Sequence, residues 1–132
     1  MVTLYQGFVI VRGSEWEGRV TDQFEGWWMG LTEKEQESIV AAVEFVQERG
    51  PALGRPFVDG IKSSRHPNMK ELIAPSGYLR VLFAFDPRRM AILLIGGDKR
   101  HRWDAFDEEI VPVADDLYDE HLAQLRAEGW NR

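Results

Sequence analysis

The sequence predicts an α+β fold, in which a small, mainly antiparallel sheet carries an N-terminal αα-hairpin on one face and is followed by a C-terminal helix. Two apolar runs separated by a short Asp-Pro turn predict a central β-hairpin at residues 78–85 and 90–95. Two stretches with apolar residues at helical spacing precede this hairpin, and another follows it. The 132 residues, 44% of them hydrophobic, fit one domain over 1–132.

The N-terminal region predicts a strand followed by a helix. Residues 5–11 include the run Phe-Val-Ile-Val, which favours a strand. Ser14 lies where a helix N-cap is expected, and Trp16, Val20 and Phe24 then recur at helical spacing. We therefore expect an amphipathic helix that begins near Ser14 and buries its aromatic side chains.

A second helix is predicted from its end signals. Thr32 and Glu35 form a capping-box pattern at its start. Gly50 and Pro51 predict its end at Arg49, because glycine suits the C′ position and proline cannot continue the helix. The two helices are joined by a short loop, which predicts an αα-hairpin.

The segment before the central hairpin predicts loops and short strands. Residues 51–68 are rich in proline and glycine, so we expect mostly loop with a short strand at Phe57 and Val58. Residues 69–74 predict a further strand, and 75–77 a turn into the hairpin.

Alternation along the first hairpin strand separates its side chains into two faces. One face carries Tyr78, Arg80, Leu82 and Ala84, and the other carries Leu79, Val81, Phe83 and Phe85. The second strand, 90–95, is apolar without interruption, which is typical of a strand covered on both faces. Gly96 and Gly97 are expected to end it.

The C-terminal region predicts an acidic loop and a helix. The loop follows Trp103, and a short segment at Ile110 and Val111 precedes Pro112. We expect the last helix to begin after this proline. Its apolar side contains Ala114, Leu117, Tyr118, His121, Leu122 and Leu125.

Positive charge is concentrated in the middle of the chain. Residues 55–102 contain ten Lys and Arg against four Asp and Glu, a net charge of +6, whereas the whole chain carries −6. Residues 1–54 (−5) and 103–132 (−7) are acidic. This distribution predicts a dipolar surface whose basic side binds an anion, although charges that only solvate exposed faces would give the same counts.

The composition also limits the class of protein. With no cysteine, the chain has no disulfide, thiolate metal site or cysteine nucleophile, which favours a reducing cytoplasm. The sequence predicts neither a signal peptide nor an apolar run of roughly 18 residues, so we expect a soluble protein without membrane contact. His66 and His121 lack ligand spacing, and no phosphate-loop or dinucleotide motif is present, so we expect no metal or cofactor.

Three segments carry a family pattern: Met-Lys-Glu-Leu at 69–72, Tyr-Leu-Arg-Val-Leu-Phe-Ala-Phe at 78–85, and Met-Ala-Ile-Leu-Leu-Ile-Gly-Gly-Asp-Lys-Arg at 90–100. They resemble the RelE/ParE toxin superfamily, and most of all its HigB branch, the phage Gp49-like proteins. The resemblance covers roughly residues 36–125. It implies the toxin of a type II toxin–antitoxin module that cuts mRNA on the ribosome. A helix-turn-helix antitoxin would neutralise it and would provide its only link to DNA.

The resemblance implies catalytic or phosphate-binding roles for Lys70, Glu71, Arg80, Lys99, Arg100 and His101. Arg80 corresponds to the arginine of the family's Tyr-Arg strand pattern, which contacts phosphate in RNA-cutting members. His101 matches only loosely. The chain departs from the pattern at Ile73, where many members have arginine, and at Gly96-Gly97.

RNA cleavage without a metal needs cations to stabilise the phosphorane and groups that accept and donate protons. The available cations are Lys70, Arg80, Lys99, Arg100 and Arg102. Glu71 or His101 would be the base or acid, since the unperturbed pKa of histidine lies near neutral pH. Tyr78 or Trp103 would stack a splayed base.

Structural roles compete with these assignments. Arg80 and Glu71 would then only pair across neighbouring strands, and 99–102 would be a solvated loop. His101 would be incidental, and Trp103 would fill the core. The corresponding alternative function is a non-nuclease binding protein of the same fold, either a gyrase-inhibiting ParE-like toxin or a degenerate relative that only binds its antitoxin.

Overall fold

The computed structural model describes residues 2–5, 8–11, 18–75, 77–100 and 103–130. Within these residues, the helices are α1 (Asp22–Met29), α2 (Glu33–Arg49) and α3 (Trp103–Ala127). The strands are β1 (Val2–Tyr5), β2 (Phe8–Val11), β3 (Gly18–Val20), β4 (Val58–Gly60), β5 (Lys70–Ile73), β6 (Leu79–Phe85) and β7 (Ala91–Asp98). The fold class is α+β, as predicted.

The strands form one mixed sheet in the order β1-β2-β3-β7-β6-β5-β4. Its central part is the five strands β3-β7-β6-β5-β4, and the β1-β2 pair extends it at the β3 edge. β3 pairs with β7 in parallel, and the other neighbours are antiparallel. The predicted hairpin of β6 and β7 lies near the middle, where both strands have neighbours on each side.

Helices cover both faces of the sheet. Leu79, Val81, Phe83 and Phe85 of β6 belong to a core with residues of α1 and α2. Leu82 and Ala84 belong to a second core with residues of α3. The alternation predicted for β6 is therefore confirmed. Both N-terminal helices contact one sheet face, and their pairing as an αα-hairpin stays a prediction.

The N-terminal elements differ from the sequence prediction. The strand expected at 5–11 is divided between β1 and β2, which pair antiparallel. Val20 was expected in a helix, yet it ends β3, which pairs in parallel with the start of β7. α1 begins only at Asp22, where the Thr21 side chain caps the N–H of Phe24 at 3.0 Å. Ser14 and Trp16 lie outside the described residues.

The ends of α2 confirm the prediction made from its capping signals. The Thr32 hydroxyl accepts a hydrogen bond from the N–H of Glu35, and the Glu35 carboxylate accepts one from the N–H of Thr32. The helix ends at Arg49, and Gly50 follows with φ 67°, a conformation that favours glycine. These two ends fix the length of the helix that covers β5 and β6.

The two glycines of β7 do not end the strand, contrary to prediction, since it continues to Asp98. They are sites of close packing instead. A Cβ at Gly96 would overlap the indole ring of Trp27 from α1. A Cβ at Gly97 would lie 2.6 Å from the ring of Phe106 in α3. Glycine here lets helices approach both faces of one strand.

The C-terminal helix is longer than predicted. α3 begins at Trp103 and passes through Pro112, so the expected acidic loop is helical. Pro112 lies on the exposed face of α3, while Val111 beside it is buried against the sheet. The continuous apolar stripe from Phe106 to Leu125 stabilises the helix despite the hydrogen bond that a proline removes. Among the described helices, none is long and apolar enough to cross a bilayer.

The glycine packing in β7 generates a stability prediction. Gly97→Ala should lower the free energy of unfolding by about 1 to 3 kcal/mol, because the added methyl group overlaps the buried ring of Phe106. The matched control is Gly60→Ala in β4, where the methyl group would enter open space and the change should stay within about 0.5 kcal/mol. Urea denaturation measures both, and equal stabilities of the two variants would contradict this packing.

Candidate functional site

The sheet register brings three predicted residues to one place. Glu71 in β5 is opposite Leu82 in β6, so its side chain and that of Arg80, two residues before Leu82, share one sheet face. Lys99 directly follows β7, and its N–H donates to the Tyr78 carbonyl at 2.9 Å. These contacts place Glu71, Arg80 and Lys99 together on the face that α3 covers.

These three side chains form a buried ionic cluster. Arg80 Nε is 3.4 Å from Glu71 Oε1, and Lys99 Nζ is 3.2 Å from Glu71 Oε2. Lys99 Nζ also lies 3.5 Å from Asp107 Oδ1 on the second turn of α3. Glu71, Arg80 and Lys99 are each at most 8% exposed. The cluster contains two cations and two carboxylates, so its formal charge is zero.

The cluster is anchored by further contacts. Arg80 Nη1 donates to the carbonyls of Gly77 and Leu79 at 3.0 and 2.9 Å. Lys99 Nζ lies 5.4 Å from the ring centre of Phe106. The cross-strand pairing of Arg80 with Glu71, expected as the structural alternative, is confirmed. Asp107 was missed, because the sequence placed it in a loop rather than on a helix that faces the sheet.

An exposed cation lies next to the buried cluster. Arg100 stacks over the ring of Tyr78, with 5.3 Å from the guanidinium carbon to the ring centre. Asp98 holds it through the Arg100 backbone N–H at 2.8 Å and Nη2 at 3.2 Å. The Arg100 side chain is 53% exposed, and Tyr78 is 43% exposed. A planar cation beside an exposed aromatic ring suits a phosphate next to a stacked base.

One of the remaining predicted residues, Lys70, is not brought to this cluster. Lys70 is opposite Phe83, so it lies on the other sheet face, where Nζ is 3.4 Å from the Pro51 carbonyl. Trp103 is the first residue of α3. His101 and Arg102 lie outside the described residues.

A second polar cluster, which the sequence did not predict, lies at the turn between β6 and β7. The Asp86 side chain is fully buried and accepts hydrogen bonds from Arg88 Nε and Nη2 at 3.0 and 2.8 Å. His121 Nε2 of α3 lies 2.8 Å from Asp86 Oδ2. From the sequence, Asp86 was predicted in the hairpin turn and His121 on the apolar side of the last helix. The contact between them could not be predicted, because it depends on the direction in which α3 crosses the sheet.

Hydrogen bonds determine the charge state of Asp86. Burial alone raises the pKa of its carboxyl group, but the donors His121, Arg88 and the Met90 N–H outweigh burial and hold the pKa below its usual value. Asp86 is therefore ionised at neutral pH.

Carboxylates of α3 also pair with the loop between β4 and β5. Arg65 contacts Asp115, Asp116 and Asp119, and His66 Nε2 is 2.7 Å from Asp119. The basic middle of the chain is thus partly neutralised by the acidic helix that follows it.

Comparison with known proteins gives three matches. The family described as phage-derived Gp49-like proteins (DUF891) matches residues 26–119. A Mycobacterium tuberculosis (strain ATCC 25618 / H37Rv) protein named as a toxin, HigB2, is 45% identical over 107 residues, which are 79% of this chain and 53% of HigB2. HigB3 of the same organism, also named as a toxin, is 40% identical over 107 residues, 81% of this chain and 94% of HigB3. The chain thus spans about half of HigB2 and nearly all of HigB3.

The ionic cluster generates a second stability prediction. Glu71→Ala should lower the free energy of unfolding by about 3 to 5 kcal/mol, because it leaves Arg80 and Lys99 buried with less compensation. Asp98→Ala is the control, since its pair with Arg100 is exposed and should contribute no more than about 1 kcal/mol. Thermal or urea unfolding of both variants tests this, and a loss for Glu71→Ala no larger than that of the control would refute it.

The low pKa of Asp86 generates a pH prediction. The unfolded-state pKa is about 3.9, and the folded-state pKa lies below it. The ionised carboxylate therefore stabilises the fold above that pH, and its contribution is lost as the pH falls through the folded-state pKa. Asp86→Asn should be less stable at neutral pH and lose less stability on acidification than the wild type. Asp59→Asn, which removes an exposed carboxylate of β4, is the control. An unchanged acid slope in Asp86→Asn would argue against the assigned pKa.

Proposed function

The chain belongs to the family of phage-derived Gp49-like proteins, and we propose that it is the HigB-like toxin of a type II toxin–antitoxin module. The observation that carries this proposal is the identity of 45% and 40% with two proteins named as toxins. HigB3 matters most, because the alignment covers 94% of its length. The proposed partner is a cognate helix-turn-helix antitoxin.

For its activity we propose cleavage of mRNA at the ribosome, without a metal. The proton of a ribose 2′-hydroxyl passes to a base, the 2′-oxygen attacks phosphorus, and the 5′-oxygen leaves with a proton from an acid. Arg100 holds the scissile phosphate, and Tyr78 stacks the neighbouring base. This assignment is supported by their exposure and by the ring contact that orients the guanidinium group. His101 follows Arg100 in sequence and is the proposed acid or base.

The buried cluster takes part differently from the exposed pair. The side chains of Arg80 and Lys99 are buried, and Asp107 of α3 contacts Lys99 directly. RNA reaches Arg80, Lys99 and Glu71 only after the second turn of α3 moves, whereas Arg100 and Tyr78 are accessible as they stand. We therefore assign the first phosphate contact to Arg100 and a positioning role to the buried cluster.

The same burial favours a second candidate function. A cluster with no net charge, closed by ion pairs, is less suited to stabilise a phosphorane than free cations are. A non-nuclease toxin that inhibits gyrase, or a relative that only binds its antitoxin, would retain such a cluster for stability. The two candidates differ in what happens to mRNA.

Expression of the chain in a bacterial host tests the first candidate. The wild type should stop growth and leave cut transcripts, and Arg100→Ala should reduce cleavage about 100-fold, since removal of one charge-stabilising donor has this size of effect. Arg126→Ala is the matched control, because it removes an exposed arginine from the end of α3. Circular dichroism checks that both variants fold, and mapping of transcript ends measures cleavage.

The other outcomes identify the alternatives. Growth arrest with intact transcripts and induced DNA damage would favour the gyrase inhibitor. Normal growth with antitoxin binding retained would favour the degenerate relative. Equal cleavage by Arg100→Ala and Arg126→Ala would remove Arg100 from the site.

A further inference from the structure

The chain leaves β7 through a turn that is held by Asp98. This residue is the last of β7 and is opposite Leu79 of β6. One carboxylate oxygen, Oδ1, accepts a hydrogen bond from the backbone N–H of Arg100 at 2.8 Å, and the other, Oδ2, accepts one from Nη2 of the same residue at 3.2 Å. An aspartate that accepts the N–H two residues later closes a local turn. Asp98 therefore holds both the backbone and the guanidinium group of Arg100.

These contacts restrict a side chain that would otherwise have many rotamers. The Arg100 side chain is 53% exposed, and an arginine in water has more rotamer freedom than most residues. Asp98 contacts the guanidinium plane at one edge, and the Tyr78 ring lies 5.3 Å from the guanidinium carbon. The edge contact and the ring contact together define the position and the tilt of the group. A donor that is oriented in advance binds an anion with a smaller loss of side-chain entropy.

The Asp98 carboxylate has two opposite effects on an RNA phosphate at Arg100. Its side chain is 41% exposed, so its negative charge repels the phosphate, although water and salt screen this repulsion. The same carboxylate fixes the direction of the guanidinium donors. A guanidinium group has five N–H donors in one plane, and Asp98 contacts this plane at Nη2, so a phosphate approaches the donors on the edge away from Asp98. Removal of the carboxylate should therefore improve RNA cleavage if repulsion dominates and weaken it if positioning dominates.

We infer that Asp98 is a positioning residue of the proposed ribonuclease site and that it acts through Arg100. This inference rests on the proposed function, in which Arg100 holds the scissile phosphate. Asp98 itself contacts neither the phosphate nor a proton that is transferred. It affects the rate of the chemical step, because a phosphate held in the wrong orientation is seldom in line for attack by the 2′-oxygen.

Cleavage kinetics of the purified full chain, with ribosomes that carry a defined mRNA, test this role. Asp98→Asn keeps an oxygen that accepts the Arg100 backbone N–H, but it places an amide NH₂ group where Oδ2 meets the guanidinium group. We expect kcat to fall about tenfold or more, with KM unchanged or lower, because positioning is lost while repulsion is removed. In the Arg100→Ala background, Asp98→Asn should cause no further loss of kcat, since Asp98 acts through that arginine. Asp116→Asn is the matched control, because it removes an exposed carboxylate that pairs with another exposed arginine, Arg65.

Nuclear magnetic resonance of the folded protein gives a second measurement that needs no RNA. The Arg100 guanidinium group lies over the Tyr78 ring, so the ring should shift the signals of the Arg100 side-chain protons upfield in the wild type. In Asp98→Asn these signals should move toward the position of a mobile arginine. A wild type that cleaves no transcript contradicts the ribonuclease proposal, and the Arg100 signals then still show whether Asp98 orients this side chain.

Four results would overturn the inference. Asp98→Asn that cleaves as fast as the wild type, or faster, would show that Asp98 only repels RNA or closes the turn. The same loss of kcat in the wild-type and Arg100→Ala backgrounds would show that Asp98 does not act through Arg100. Equal losses in Asp98→Asn and Asp116→Asn would indicate a general effect of surface charge. Arg100 signals that are unchanged in Asp98→Asn would show that the carboxylate does not orient the guanidinium group.

Discussion

The packing of α3 against one face of the sheet is the interaction on which the rest of this structure depends. α3 buries Phe106, Val111 and Tyr118 against β6 and β7, and its carboxylates contact cations from the middle of the chain. Asp107 reaches Lys99, and Asp115 reaches Arg65. Apolar burial provides the main driving force, and the ion pairs fix how α3 lies across the sheet.

Because of this arrangement, the protein exposes fewer cations than the charge of its sequence indicates. The net +6 of residues 55–102 suggested an open basic surface, but part of that charge is neutralised within the fold. Arg80 and Lys99 are shielded with Glu71, while Arg100 is exposed next to Tyr78. This leaves a small cationic edge at the end of β7, formed by Arg100. Such an edge is compatible with a chain whose total charge is −6.

Local patterns allowed the prediction of most of the fold, and long-range contacts explain the errors. The faces of β6 follow from alternation, and the ends of α2 follow from Thr32, Glu35 and Gly50. Three-residue β3 has no period to detect, and its parallel pairing depends on a distant strand. Gly97 looked like a strand end because Phe106, whose ring packs against it, was predicted to lie in a loop and not in a helix that covers the sheet. In the candidate site, the Glu71–Arg80 pair follows from neighbouring strands, whereas the contact with Asp107 depends on the packing of α3.

The most direct test of this account is whether the buried ionic cluster of Glu71, Arg80, Lys99 and Asp107 is closed in solution. Labelling of the folded protein with an amine-reactive reagent, followed by mass spectrometry, gives the modification rate of each lysine. Lys34 and Lys62 are exposed and should react rapidly, whereas Lys99 should react far more slowly, because it is buried between Glu71 and Asp107. A Lys99 that reacts as fast as Lys34 and Lys62 in the folded chain would contradict the closed arrangement and restore an open cationic site.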